Sequence, residues 1–183
     1  MDNRKRLIEL VRTRSFLTAE EPVFRLASGK MSNVYFDLRL TTLSPEGQVL
    51  IGNLMVEKLA ELGLRPKAAG GLTMGADPVA CSIAYTSQLK GSPIEAMVIR
   101  KEPKVHGRGM QIEGSIKAGD DVVIVDDVLT TGGSTIKAIN IAKGLGLNVL
   151  AAIVVLDRCE QNGKANVEEV CPLHSLLTIG DFR

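Results

Sequence analysis

The 183-residue sequence has no tryptophan, two tyrosines and four phenylalanines. A surface that reads nucleic acid by stacking bases on aromatic platforms wants more rings than these. Charge of one sign is also missing: 22 Lys and Arg stand against 21 Asp and Glu, a net +1. No global field therefore points to a polyanionic partner or a membrane surface. The three cysteines, Cys81, Cys159 and Cys171, are odd in number, widely spaced and without a CxxC pair, and the two histidines, His106 and His174, are far apart. That pattern disfavours a zinc site, and the free thiols fit a reducing compartment. No apolar run approaches the roughly 20 residues that span a bilayer. The basic N-terminus MDNRKRLIELVRTR has no apolar h-region. A soluble cytoplasmic protein is expected. Neither GxGxxG nor GxxxxGK[ST] occurs, and no internal repeat or linker divides the chain.

What is present is enough for one domain. At this length a chain buries roughly 70% of its unfolded surface, so no disulfide or metal is needed to fold it. Leu7, Ile8, Leu10 and Val11 predict an amphipathic helix over about residues 3 to 13. Ser44-Pro45, the apolar series Leu50 to Leu62 and Gly63 predict a second, capped helix. A turn at Ser28-Gly29 and a strand over Val34–Leu38 lie between them. From about residue 67 strands and helices alternate: strands at Ala68–Gly71, Ile94–Ile99, Asp121–Asp126 and Val149–Leu156, helices at Asp77–Ser87 and Ser134–Leu145. This is the rhythm of βαβ units, an α/β fold with a mainly parallel central sheet flanked by helices. Cys81 reads as a small buried hydrophobe on its helix, and Ala138, Ile139, Ala142 and Leu145 as one side of theirs. About residues 1–40 stand outside the rhythm and are expected to form a small hood or lid.

Two segments carry chemistry. Arg100–Gly114 (RKEPKVHGRGMQIEG) holds Arg100, Lys101, Lys104 and Arg108 against Glu102 up to position 108, a local +3, with Pro103, Gly107 and Gly109 opposing regular structure. It reads as a long cationic loop leaving the end of a strand. In Val122–Ser134 (VVIVDDVLTTGGS) an apolar strand ends in two carboxylates and turns into a helix. Backbone N–H groups from Thr131 to Ser134 converge there with the positive end of the helix dipole, a site suited to a phosphate monoester. Asp126 and Asp127 would repel a bare phosphate; they make sense facing the hydroxyls of a sugar phosphate or acting through a divalent ion.

VVIVDDVLTTGGS resembles the phosphoribosyl pyrophosphate (PRPP) signature of type I phosphoribosyltransferases. FRLASGKMSNVYFDLR, RKEPKVHGRGMQIEG and VVLDRCE, in that order from about Phe24 to Glu160, narrow the resemblance to the orotate phosphoribosyltransferases. The resemblance implies transfer of the phosphoribosyl group from PRPP to orotate in UMP biosynthesis. It implies that Asp126, Asp127, Val128, Leu129, Thr130, Thr131, Gly132, Gly133 and Ser134 cradle the ribose and 5′-phosphate. Arg100, Lys101, Lys104 and His106 would close over the diphosphate, with Lys104, His106, Asp126 and Asp127 as catalytic residues. Thr130 and Arg158 would contact orotate. Mg²⁺ would be held mainly through PRPP rather than by a protein site, and the Arg100–Gly109 loop would act in trans within a homodimer. Where some members carry lysines, this chain has Ala27 and Met74, so those roles pass to no residue here, Lys30 included. The alternative for Arg158 is an ion pair with Asp157 or Glu160, and for Tyr35 and Phe36, offered to the base pocket, a place in the core. A transferase for another nucleobase and a PRPP-sensing regulator are the competing functions.

Overall fold

The Asp2 carboxylate accepts a hydrogen bond from Arg4 N and starts helix α1 (Asn3–Arg14), whose Leu7, Leu10 and Val11 are buried. The structure is a computed structural model and describes residues 2–25, 29, 31–102 and 111–182. Strand β1 (Phe16–Thr18) is followed by the short antiparallel pair β2 (Phe24–Arg25) and β3 (Met31–Ser32), and then by β4 (Val34–Phe36), which pairs antiparallel with β1. The strand expected to reach Leu38 stops at Phe36, because Leu38 already turns into the short helix α2 (Arg39–Thr42). Ser44 caps α3 (Pro45–Glu61), its Oγ accepting from Gly47 N at 3.1 Å, with proline in the first turn where its missing N–H costs nothing.

The sheet begins at β5 (Ala68–Leu72), followed by α4 (Ala76–Leu89), β6 (Glu95–Ile99) and the two-residue β7 (Ile112–Glu113). Next come β8 (Asp121–Leu129), α5 (Gly133–Gly144), β9 (Asn148–Asp157), α6 (Gly163–Glu168) and β10 (Leu173–Thr178), with a 3₁₀ turn at Ile179–Phe182. Strand order is β10-β9-β8-β5-β6-β7, parallel throughout except for β7 at the edge. The chain therefore winds one way from β5 to β6 and the other way from β8 to β10. The switch point lies between β5 and β8, and in such sheets the crevice beyond the carboxyl ends of those strands is where ligands bind.

Alternation along the central strands supplies two cores. Val123, Val125, Ile153 and Val155 pack with α1, α3 and α4, whereas Val122, Ile124, Ala152 and Val154 pack with α5 and α6. Both faces are covered, which is why VVIV and AAIVVL read as continuous apolar runs. Two expectations are corrected. Cys81 is exposed, since α4 turns it to the same side as Tyr85 and Leu89, both exposed. Leu145 lies beyond the last turn of α5 and is half exposed, while Leu147 takes the core position.

Candidate active site

β8 runs three residues past Asp126, because its ladder with β9 continues through Val128 opposite Leu156 to Leu129 opposite Asp157. The two carboxylates thus sit within the strand and leave it on opposite sides. Asp126 is buried and faces α5: its Oδ2 accepts from Ser134 Oγ at 2.7 Å and Thr135 Oγ1 at 3.4 Å, and its Oδ1 from Asp127 N at 3.0 Å. Asp127 Oδ1 accepts from Val128 N at 2.8 Å. The turn after β5 closes on the pair, and a Cβ placed on Gly75 would fall 2.7 Å from Asp127 Oδ1 and 3.1 Å from Asp126 Oδ1. A side chain on Gly75 would have to displace one of these carboxylates.

Burial first and the adjacent Asp127 charge second raise the Asp126 carboxyl to about 7, against the bond from Ser134. Burial also pushes Asp127 up, opposed by its backbone bond and by the field of Arg39. Arg39 is itself held by Asp37, Nε to Oδ1 at 2.8 Å and Nη2 to Oδ2 at 3.1 Å, a pairing that keeps the Asp37 carboxyl below its ordinary value. This Asp-x-Arg pair escaped the sequence reading, although its spacing of two was visible in FDLR.

The expected strand–turn–helix connection joins β8 to α5. Gly132 takes a left-handed φ of +81° immediately before α5, and a Cβ there would lie 2.7 Å from Val167 Cγ2. Thr131, Gly133 and Ser134 are exposed at the helix N-terminus, Thr130 is half-buried, and Val128 and Leu129 complete the strand. From behind, Asn166 Nδ2 donates to Thr131 O at 3.0 Å, and Arg158 N donates to Leu129 O at 3.0 Å. That last bond joins the end of β8 to the loop after β9.

Arg158 is 3% exposed, not the surface residue that an ordinary ion pair would make it. Its guanidinium lies 5.8 Å from the centroid of the Phe36 ring, its Nη2 donates to Val34 O at 3.5 Å and to Glu160 Oε1 at 3.1 Å, and its Nε is buried with no hydrogen-bond partner among the described residues. Phe36 is core and carries Arg158 on its face; Tyr35 stacks on Phe24 at 5.7 Å. Asp157, the other candidate partner, instead accepts from Cys159 N at 2.8 Å. Cys159, Gln161 and Asn162 all have φ between +52° and +56°.

The cationic segment is anchored at its feet. Arg100 N donates to Gln111 O at 2.8 Å, and Arg100 pairs with Glu113 at 3.1 Å. Lys101 is exposed, and Glu102 pairs with Lys137 at 3.4 Å. Lys104 and His106 lie outside the described residues, as do Ala27, Ser28 and Lys30. Among the described residues no cluster of three or more His, Cys, Asp or Glu forms a metal cage. A cavity of about 960 Å³ lies at the opposite, amino-terminal edge of the sheet, lined by Leu59, Pro66, Pro93 and Asp121 among others. Lysines at its rim are paired, Lys67 with Glu95 at 3.7 Å and Lys90 with Glu57 at 3.5 Å.

A sheet with its switch point at β5/β8 and a DDVLTTGGS turn at that crevice defines a type I phosphoribosyltransferase, and residues 74–170 match the Phosphoribosyl transferase domain family. Over 183 residues the chain is 45% identical to the orotate phosphoribosyltransferase of Aquifex aeolicus, covering 100% of this chain and 98% of the relative. A crystal structure of Mycobacterium tuberculosis H37Rv orotate phosphoribosyltransferase in complex with Fe(III) dicitrate superposes with a TM-score of 0.85 at 37% identity, covering 98% of each chain. Another structure of that protein, in complex with PRPP, gives a TM-score of 0.79 at 35% identity, again over 98% of each chain. The chain belongs to the orotate phosphoribosyltransferase family. Among the described residues no helix is long and apolar enough to cross a membrane.

Proposed function

We propose that this chain transfers the 5-phosphoribosyl group of PRPP to N1 of orotate, releasing diphosphate and forming orotidine 5′-monophosphate (OMP) for UMP biosynthesis. The C1–oxygen bond to diphosphate breaks with its electron pair on the leaving oxygen. N1 supplies the pair for the new C1–N1 bond and gives up its proton. Positive charge grows on the ribose and negative charge on the leaving group, so anions and acceptors belong near the first and cations near the second. Asp126 and Asp127 serve the ribose hydroxyls, and backbone N–H groups of Thr130 to Ser134 take the 5′-phosphate, with Val128 and Leu129 as the strand beneath. Arg100, Lys101, Lys104 and His106 serve the diphosphate, His106 as proton or hydrogen-bond donor to the departing oxygen.

Two neighbouring carboxylates are too few to form a cage for a hard cation, which prefers about six oxygens, many from water and phosphates. The pair therefore suits Mg²⁺ carried in on PRPP oxygens, where it would neutralise charge developing on the diphosphate. The cationic loop acts on the neighbouring subunit's site in a homodimer. Leu43, Val49, Tyr85 and Leu89, exposed on α2 to α4 and the turn between, favour such an assembly. Residues 1–40 contribute a hood over the site, within a single domain spanning 1–183. Three free thiols support a cytoplasmic location.

The observation that carries the orotate reading is Arg158: a buried guanidinium whose Nε has no partner among the described residues, bonded through its backbone to the end of β8 just before the phosphate-type turn. A planar fork in that state suits a carboxylate, and a neutral nucleobase has none. Protein, Mg²⁺ and PRPP are incubated in turn with orotate, uracil, adenine and hypoxanthine, and diphosphate release is measured. Turnover is expected with orotate alone; none with orotate sinks the reading.

A further inference from the structure

On the reading just given, Arg158 is a carboxylate receptor, and without substrate that receptor already holds a carboxylate. We propose that Glu160 is a specificity-determining placeholder: it pairs with Arg158 while the base pocket is empty and yields the contact to the carboxylate of the substrate. The inference rests on the orotate reading.

Four features of the pair argue for exchange rather than a fixed ion pair. Glu160 is not the guanidinium's sole neighbour, because Val34 O at 3.5 Å and the Phe36 ring at 5.8 Å also contact it. What Glu160 adds is charge, which a buried arginine needs, since an unpaired cation at that depth is strongly unfavourable. Glu160 meets that need incompletely. It takes Nη2 and leaves Nε, on the same edge of the guanidinium, without a partner among the described residues, whereas a substrate carboxylate bridging Nε and Nη2 satisfies both. Finally, the Arg158 side chain is 4% exposed and that of Glu160 30%, so the glutamate has solvent to move into and the arginine does not.

The backbone is shaped for this. Cys159 and Gln161, on either side of Glu160, both take left-handed φ values of 52° and 53°. For residues with a Cβ such conformations are strained and persist where the surroundings impose them, commonly at binding sites. The Asp157 carboxylate fixes the first by accepting from Cys159 N, and Gly163 N closes the loop on Glu160 O at 3.0 Å. A base without a carboxylate has no anion to exchange for Glu160, so the pair stays closed against it. Selectivity then comes from a charge that must be displaced as well as from the fork that attracts.

The test uses OMP and UMP, which share ribose and 5′-phosphate and differ by the base carboxylate, each titrated calorimetrically into wild type and Glu160→Gln. The substitution is expected to lower the Kd for OMP at least three-fold and leave that for UMP within two-fold. An OMP Kd that is unchanged or raised overturns the placeholder, and parallel weakening of both ligands shows a merely structural residue. If wild type does not prefer OMP to UMP, the orotate reading fails instead. Should Glu160→Gln not fold, Glu160→Asp keeps the charge but withdraws it by one methylene, and the same tightening of OMP alone is required.

Discussion

Two loops leave the same edge of the sheet side by side, one after β8 and one after β9, with Leu129 level with Asp157, and they are built on opposite plans. The β8 loop is made of hydroxyl residues and glycine, takes its left-handed turn at Gly132, and presents backbone N–H groups at a helix end. The β9 loop takes left-handed turns at Cys159, Gln161 and Asn162, and presents one buried guanidinium. The difference follows from the anions proposed for each. A phosphate monoester is round and doubly charged, and several diffuse donors hold it well. A planar carboxylate on a ring is recognised by a directed fork, so the chain spends a side chain and orders a loop to aim it.

The largest expected effect breaks the comparison at its sharpest point. Arg158→Ala should lower kcat/KM for orotate roughly 100- to 1,000-fold, the scale of losing a buried charge-assisted pair of hydrogen bonds, while the Kd for PRPP stays within about three-fold. Steady-state kinetics and calorimetry on one preparation decide it. Equal losses for both substrates would mean that the Arg158 N to Leu129 O bond welds the two loops into one unit.

Next in size is an exchange of backbone plan. Asn tolerates φ near +80° better than most residues, so Gly132→Asn isolates the steric demand of the β8 loop, where the new Cβ meets Val167 Cγ2 at 2.7 Å. A loss of about 2–3 kcal/mol is expected, a fall in Tm of roughly 4–12 °C for a chain of this size, together with weaker PRPP binding. An unchanged Tm would show that α6 moves aside at little cost.

These loops also show what the sequence made legible. The β8 loop could be read because its chemistry is local: VVIVDD and TTGGS are contiguous, and a helix N-terminus needs no distant partner. Arg158 was legible as a candidate, but its depth was not, since Phe36 and Val34, which contact it, lie more than 120 residues away. The same holds for Arg39, whose field reaches Asp127 across the crevice. Alternation gave the parallel sheet, yet not where β8 ends, because that limit is set by pairing with β9 rather than by the polarity of Asp126 and Asp127. Cys81 was misplaced for a related reason. α4 has small or apolar residues on several sides, and only its packing on α3 and the sheet decides which side is outward.

Asp126 tests the electrostatic side of the comparison, because the β8 loop keeps its own carboxylate buried. Its carboxyl is raised from 3.8 to about 7 by burial and then by Asp127. A raised folded-state value means that the stability contributed by the protonated group is fully present below about pH 4 and is lost as pH rises through about 7. Asp126→Asn removes that loss. The variant should match wild type in Tm near pH 4 and exceed it at pH 8, by about 2–4 kcal/mol of stability at most, while transferase activity falls sharply. A gap that shrinks with rising pH would reverse the sign and remove the claim that burial dominates at this carboxylate.

The smallest effect completes the exchange begun at Gly132. Asn162 also has a left-handed φ, 56°, immediately before a helix, but it is exposed and its side chain makes no capping bond to α6. Asparagine already accommodates this conformation, so glycine relieves little strain and adds some freedom to the unfolded chain. Asn162→Gly should therefore change stability by about 0.5 kcal/mol or less, within about 2 °C in Tm, and leave OMP binding within two-fold. The contrast with Gly132→Asn is the informative quantity: the same pair of residue types, at two left-handed positions one strand apart, is expected to differ several-fold in energy. If Asn162→Gly proves as damaging as Gly132→Asn, the β9 loop depends on its Asn162 side chain, and its shape is not set by the Asp157 and Gly163 bonds alone.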